Sequence, residues 1–214
     1  MLVEKRMKRD PVTLSPEDSF RHAMTLIRQK GIRHLPVVEG GRLVGIVTDR
    51  DIRQAAPSPA TSLEVHELHY LLEKIKIREI MTRKVYTVTP DTPIEEAARL
   101  MLLHKIGGLP VLQDGGLVGI ITETDILAAF VEVMGIQQNQ TRLELVLEDR
   151  PGAFLDVCRI IQEQGGDIVS VVTATAAHRG EEKKVLVFRL DGVTVDPLLV
   201  HLEAGGHTVL SAIS

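Results

Sequence analysis

The chain is poor in the residues that announce many common functions. It has one cysteine, Cys158, no tryptophan, and aromatics make up 3% of its 214 residues. A lone cysteine cannot close an internal disulfide, which fits a reducing compartment and points to the cytoplasm. Scarce aromatics disfavour a platform for stacking unpaired bases. The net charge is −4 with no long basic run, so an electrostatic stripe for nucleic acid is disfavoured too. No apolar stretch approaches the roughly 20 residues that span a bilayer, and Met1 to Arg9 lacks the apolar core of a signal peptide. No Ser/His/Asp, Cys/His or metal-ligand arrangement specifies catalysis. Gly40-Gly41 is a hairpin rather than a phosphate loop, since the Lys-Ser/Thr of that loop is missing. His66 and His69 stand three apart with no third ligand near them in sequence, so no metal site is expected. Cys158 falls on an apolar helix face, where packing is the expected role.

What is present is a repeat. Met7–Ile52 overlays Met81–Ile126 without a gap, at an offset of 74, and 18 of the 46 positions are identical. An ungapped internal repeat names the structural unit. Each copy contains Leu-Pro-Val (35–37 and 109–111) and ends in Leu-Val-Gly-Ile-x-Thr-x-x-Asp-Ile (43–52 and 117–126).

In the first copy, Val12–Ser15 reads as a short strand. Asp18 is a candidate cap for a helix with Phe20, Ala23, Met24 and Ile27 as its apolar stripe. Leu35–Val38 and Leu43–Val47 read as a hairpin across Gly40-Gly41, with a short helix from about Asp49. In the second copy Thr92, Pro93 and Glu95 fit N-cap, N1 and N3 of a helix through His104. Its stripe is Ile94, Ala97, Ala98 and Met101. Gly115-Gly116 repeats the hairpin, and Asp125 opens a helix to about Met134. Between the copies, 54–62 is a loop rich in Ala, Pro and Ser, and 63–75 reads as an amphipathic helix carrying Leu68, Leu71, Leu72 and Ile75.

The pattern changes beyond the polar stretch 135–140. A strand at 143–147 leads through Asp149-Arg150-Pro151-Gly152 into a helix over 153–164, with Phe154, Leu155, Cys158 and Ile161 as its apolar face. Gly165-Gly166 stops it. Strands at 167–177 and 183–190, a helix from Asp196-Pro197 to Gly205-Gly206, and a strand at 207–213 complete a βαββαβ order, that of a ferredoxin-like split βαβ fold.

The repeated Thr-x-x-Asp carries the chemistry. A Thr before a helix is often only a cap, worth about 1 kcal/mol. Here an Asp in the first turn brings a carboxylate to the same place. A carboxylate accepts two hydrogen bonds, which suits vicinal ribose hydroxyls, and free N–H groups at a helix start suit phosphate. Thr48 with Asp51, and Thr122 with Asp125, are therefore candidate ribose-phosphate sites. The copies differ in charge. Arg33-His34 become Gly107-Gly108, and Arg50 becomes Thr124. The cleft holding Arg33 and His34 is expected to take the more phosphorylated ligand, since hydrogen bonds to charged groups contribute about 1.5–3 kcal/mol.

These residues resemble the CBS family, tandem cystathionine-β-synthase-type repeats of βαββα units that pair into a Bateman module. The family's Gly-hydrophobic-x-Thr-x-x-Asp signature stands at 45–51 and 119–125. The resemblance implies two clefts for AMP, ADP, ATP or S-adenosylmethionine, with Asp51 and Asp125 on ribose and Thr48 and Thr122 on ribose or phosphate. It also implies that backbone at Val12–Ser15 and Tyr86–Thr89, which includes Thr13, Ser15, Thr87 and Thr89, faces adenine.

Residues 141–214 resemble an ACT domain, a regulatory fold that often binds amino acids at dimer interfaces. The implied effector residues are Asp149, Arg150, Pro151, Gly152 and Asp167. Asp167 departs from the Asn that many amino-acid binders carry, so a ligand-free dimerisation domain stands as the alternative.

The expected fold is α+β, with a CBS repeat at 1–60, a linker helix at 61–76, a second repeat at 77–135 and the ACT domain at 141–214. This order is similar to that of the acetoin-utilisation accessory proteins. The resemblance implies a cytoplasmic, homodimeric, non-catalytic regulator of acetoin or acetyl-CoA metabolism, with a lysine-deacetylase-like protein as partner. An interaction scaffold with empty clefts and an enzyme with an unrecognised active site stand as alternatives.

Overall fold

The computed structural model describes residues 1–56, 72–136, 140–178 and 181–214. Most of the expected linker helix, with His66 and His69, lies outside the described residues. The chain divides into two compact units, Met1–Leu127 and Ala128–Ser214.

The first unit contains both repeats, and the sheets show how alike they are. Strand β2 (His34–Glu39) pairs antiparallel with β3 (Arg42–Thr48), and β4 (Gly108–Gln113) pairs the same way with β5 (Gly116–Thr122). The register slips at Val37/Val38 in one hairpin and at Val111/Leu112 in the other, positions related by the repeat offset. A third chain segment closes each sheet. A two-residue strand, β1 (Lys8–Arg9), lies along β5, pairing Lys8 with Ile120. Its counterpart is a bridge between Thr82 and Ile46, whose N–H groups donate to each other's carbonyls at 2.9 and 3.0 Å.

The strand expected at Val12–Ser15 shrinks to one parallel bridge, Leu14 to Val37, and Val88 bridges to Val111 in the same way. Prolines explain this. Leu14 donates to the Pro36 carbonyl and accepts from the Val38 N–H. Extending the ladder either way needs an N–H from Pro16 or from Pro36, and neither has one. Pro90 and Pro110 impose the same limit in the second copy.

The turns and caps also depart in detail from the sequence reading. Gly40 and Gly41 have φ of 56° and 79°, whereas the second hairpin turns on Asp114 and Gly115, at 52° and 81°. Both are two-residue turns with positive φ throughout, and Asp-Gly is a favoured pair for them. Gly116 already belongs to β5. Helix α1 (Phe20–Lys30) is capped by Ser19, whose Oγ accepts from the His22 N–H at 3.2 Å. Asp18 instead accepts from the Ser15 N–H at 2.7 Å. A short α2 (Asp49–Ala55) follows β3, and α3 (Ile77–Ile80) opens the second repeat. Helix α4 (Ile94–His104) has Pro93, not Thr92, at its N-cap, because the Thr92 hydroxyl is engaged by the Thr89 N–H at 3.0 Å. Helix α5 (Glu123–Val133) begins two residues before Asp125.

The first-repeat core gathers Leu14, Phe20, Ala23, Leu35, Val37 and Val47, and Leu72 and Ile77 join it. In the second repeat Ile94, Ala97 and Met101 are buried with Leu109, Val111 and Ile121. Ala98 is only half-buried.

The second unit is a four-stranded antiparallel sheet in the order β7-β8-β6-β9. Its strands are β6 (Thr141–Val146), β7 (Asp167–His178), β8 (Glu181–Asp191) and β9 (Val209–Ile213). This is the split βαβ arrangement, with β8 inserted between β6 and β7. Helices α6 (Ala153–Glu163) and α7 (Val195–Ala204) complete it. The buried face of α6 is Ala153, Val157 and Ile161, a strict i, i+4, i+8 row, while Phe154 and Leu155 are exposed. Phe154 nevertheless stacks on Phe188, with ring centroids 6.2 Å apart. Cys158 packs half-buried at the core edge, where desolvation raises its thiol pKa.

Candidate nucleotide cleft

The end of β3 and the start of α2 build a reciprocal cap. Asp51 Oδ2 accepts from both the N–H and the hydroxyl of Thr48, each at 2.8 Å, and Thr48 Oγ1 accepts from the Asp51 N–H at 3.3 Å. The second repeat forms the same figure. Asp125 Oδ2 accepts from the Thr122 N–H at 2.9 Å and from its hydroxyl at 2.6 Å. Capping and ligand roles are compatible in this geometry. Both bonds fall on one carboxylate oxygen, and among the described residues none goes to the other, Oδ1.

The glycine of each signature has a packing reason. A Cβ on Gly45 would stand 2.6 Å from Met81 Sδ and 3.2 Å from the Thr82 carbonyl oxygen. On Gly119 it would stand 2.7 Å from Met7 Sδ and 3.0 Å from the Lys8 carbonyl oxygen. The bare backbone lets the opening segment of the other repeat close against the strand, and the one that begins at Thr82 becomes a wall of the cleft.

The cleft beside Thr48 has a volume of about 510 Å³, within the usual range for small-molecule sites. Of the residues anticipated from sequence, Arg33, His34, Thr48, Arg50 and Asp51 line it together. Thr82, Lys84, Val85 and Tyr86 form the facing wall, and Lys105 to Gly108 close a third side. The Tyr86 ring stacks on His104 at 3.8 Å, and Lys84 Nζ lies 5.9 Å from its centroid.

Thr13, Ser15, Thr87 and Thr89 do not line this cleft, because the wall is made by 82–86, just upstream of the expected residues. The Ser15 hydroxyl accepts from the Glu17 N–H at 3.3 Å, inside a local turn. Thr89 lines a separate hollow with Glu4, Asp91 and Asp114 and no basic side chain. Thr122 and Asp125 belong to the equivalent frame of the second repeat. Sequence reasoning missed Lys84, Arg53 and Lys105. Lys105 left one trace, a lysine at the helix exit where the first copy has Gly31.

Charge in the cleft is mixed. Five basic side chains, Arg33, Arg50, Arg53, Lys84 and Lys105, meet Asp49, Asp51 and Glu123. Arg53 pairs with Asp49 at 2.8 Å. Arg33 Nη2 donates to Thr124 Oγ1 at 3.2 Å. His34 lies against Gly107 and Gly108, within about 3.1 Å of where a Cβ on either would stand. Burial, reinforced by Arg33, lowers the His34 pKa against the opposing pull of Asp49, Glu123 and Asp51.

In the second unit Gly152 takes φ 84° ahead of α6. Arg150 is held by Asp156 at 2.7 Å and lies 3.7 Å from Glu148, and its guanidinium lowers the Asp156 pKa. Asp167 begins β7, paired with Asp191, and is exposed. Among the described residues no cluster of three His, Cys, Asp or Glu side chains could hold a metal. Nor, among them, is any helix long and apolar enough to cross a membrane.

Comparison with known families agrees with this architecture. A CBS domain matches residues 3–58 and 77–132, over half the chain, and a TTHA0829-like ACT domain matches 140–212. The chain belongs to the CBS-domain family, with a regulatory CBS pair followed by an ACT domain. Among solved structures it is similar to a Vibrio cholerae protein assigned to acetoin utilization (AcuB), at 33% identity and TM-score 0.53, covering 64% of this chain and 96% of that one. It is also similar to the CBS domain pair of protein MJ0100, in complex with 5-methylthioadenosine and S-adenosyl-L-methionine. That match has 34% identity and TM-score 0.52, covering 62% of this chain and 97% of the other. A third is CBSX2 in complex with AMP, at 30% identity and TM-score 0.51, with coverages of 62% and 97%.

Proposed function

We propose that the protein is a non-catalytic regulator that senses adenine nucleotides through its CBS pair. Its ACT domain would serve dimerisation or a second small-molecule input through Asp149–Gly152 and Asp167. The observation that carries the reading is the Asp51 carboxylate, which caps α2 with one oxygen at the edge of a cleft rich in basic side chains. Its second oxygen is the acceptor for ribose hydroxyls, and the basic wall suits phosphate. The adenosine ligands of two similar CBS pairs support the same class. The likeness to an acetoin-utilization protein supports a cytoplasmic role in acetoin or acetyl-CoA metabolism, with a lysine-deacetylase-like protein as partner. Ligand would act by population shift, limited to its differential affinity for two arrangements of the module.

Calorimetry and thermal shift with AMP, ADP, ATP, S-adenosylmethionine and amino acids test this. A ligand at 100 times its Kd adds about 2.7 kcal/mol of stability. Asp51→Ala combined with Asp125→Ala is expected to abolish binding in a folded protein. Unchanged nucleotide affinity in that variant refutes the site.

A further inference from the structure

Resting on the nucleotide reading above, we propose that the CBS pair sorts its ligands by charge. The cleft at Thr48 and Asp51 takes a phosphorylated nucleotide. The frame at Thr122 and Asp125 takes a nucleoside without phosphate.

The two frames share their backbone. Asp49 N–H donates to the Arg33 carbonyl at 3.0 Å, and Glu123 N–H donates to that of Gly107 at 3.1 Å. Thr82 meets Ile46 as Lys8 meets Ile120. Each Asp accepts from its own Thr through Oδ2. Arg33, His34, Gly107 and Gly108 all line the described cleft, and the repeat offset exchanges the first pair for the second. These four residues are therefore common to both frames, and what distinguishes the sites is the periphery.

At the periphery the repeat reverses the charge. Arg50 is replaced by Thr124, Arg53 by Leu127, Lys105 by Gly31, and Lys84 by Asp10. Only Lys8, in place of Thr82, moves the other way. The acidic residues persist, since Asp49 and Glu123 exchange places and Asp51 becomes Asp125. Five basic side chains face three acidic ones in the first cleft, and the repeat offset, with Arg33 counted in both, sets two against four at the second frame. The difference is an excess of two positive charges against an excess of two negative ones. In a partly desolvated cleft such a reversal decides whether phosphate is held or repelled.

Lys105 sharpens the point. It sits at the exit of α4 with φ 53° and ψ 47°, a left-handed conformation that Gly31 takes at φ 62° in the first repeat. A residue with a Cβ is disfavoured there, yet that is where the cleft gains a cation. Lys84 and Lys105 are thus specificity residues for phosphate, while Asp51 and Asp125 serve the ribose that both ligand classes share.

The test uses the full chain and calorimetry without magnesium, so that ATP carries its full charge. Wild type is expected to bind one ATP per chain and, with ATP saturating, one adenosine at a separate site. Lys84→Asp with Lys105→Gly is expected to weaken ATP at least tenfold and adenosine less than twofold. Asp10→Lys with Leu127→Arg is expected to bring in a second ATP, tightened about 10–100-fold over its wild-type affinity, with thermal midpoints confirming that each variant folds. Two ATP sites within tenfold of each other in the wild type overturn the sorting while leaving the nucleotide reading intact. One-for-one displacement of adenosine by ATP, or equal loss of both ligands in the lysine variant, does the same. Failure of every adenosine compound to bind overturns both.

Discussion

Asp51→Asn separates the two roles assigned to this carboxylate. In the structure Oδ2 takes both Thr48 bonds, and an asparagine can place its amide oxygen in that position. The cap survives, and the variant loses only the negative charge in the first turn of α2, about 0.3–1 kcal/mol. For a protein of this size that is a midpoint shift of roughly 1–4 °C. The ligand loses more. An acceptor of two ribose hydroxyls becomes an amide that presents donors to them, and a charge-assisted bond contributes about 1–2 kcal/mol more than a neutral one. AMP affinity should therefore fall about 5–30-fold in Asp51→Asn. Asp51→Ala should lose both properties, with a stability cost of about 0.5–2 kcal/mol from the broken cap. Urea unfolding and calorimetry on the three proteins read the two effects independently. Asp51→Asn binding AMP within twofold of wild type refutes the ribose assignment, and so does an affinity loss in Asp51→Ala that its unfolded fraction fully accounts for. In either case the residue would be a cap alone.

His34 makes stability and binding depend on pH in opposite directions. Its folded pKa is depressed below the ordinary value of 6.5, so its contribution to stability is complete above that value and is lost as pH falls through the lowered folded pKa. His34→Gln should flatten the decline of urea midpoints below about pH 6.5, whereas bound phosphate should raise the imidazole pKa and draw in a proton, seen by calorimetry in buffers of different ionisation enthalpy. Lys105→Gly should stabilise the protein by about 1 kcal/mol by removing a left-handed lysine, and a lower thermal midpoint would contradict this. Gly119→Ala should cost about 1–3 kcal/mol by overpacking against Met7 and the Lys8 carbonyl, and more than Gly45→Ala, whose backbone contact is looser. Equal midpoints for those two variants would show that the methionine, and not the backbone, sets the limit.

The tandem architecture was legible because the repeat is ungapped and its apolar periodicity is strong. The Thr-x-x-Asp pairs were legible because their chemistry is local, spanning four residues on one turn. What stayed hidden depended on contacts between distant segments. Nothing in the stretch from Thr82 to Tyr86 reveals that Thr82 pairs with Ile46, since that pairing needs the bare backbone of Gly45 and so involves both repeats at once. Asp18 and Ser19 are both good caps for α1, and only the turn at Ser15, which engages Asp18, decides that Ser19 takes the role. Phe154 and Leu155 are apolar and so imitate a buried face of α6 in sequence, while the closer packing at Ala153 and Val157 is set by the sheet beneath.

The same division explains how one repeat can carry two frames with unlike rims. The frame is made of backbone-to-backbone bonds, two glycines and the Thr-Asp caps, and none of these depends on the side chains around the rim. Rim residues such as Arg50, Lys84 and Lys105 are therefore free to diverge without disturbing the fold, and four of the five charge differences at the rim, all but that between Thr82 and Lys8, leave the second frame the less positive. That difference also gives the module a direction, because phosphorylated and unphosphorylated adenosine compounds would then push on different ends of the same pair.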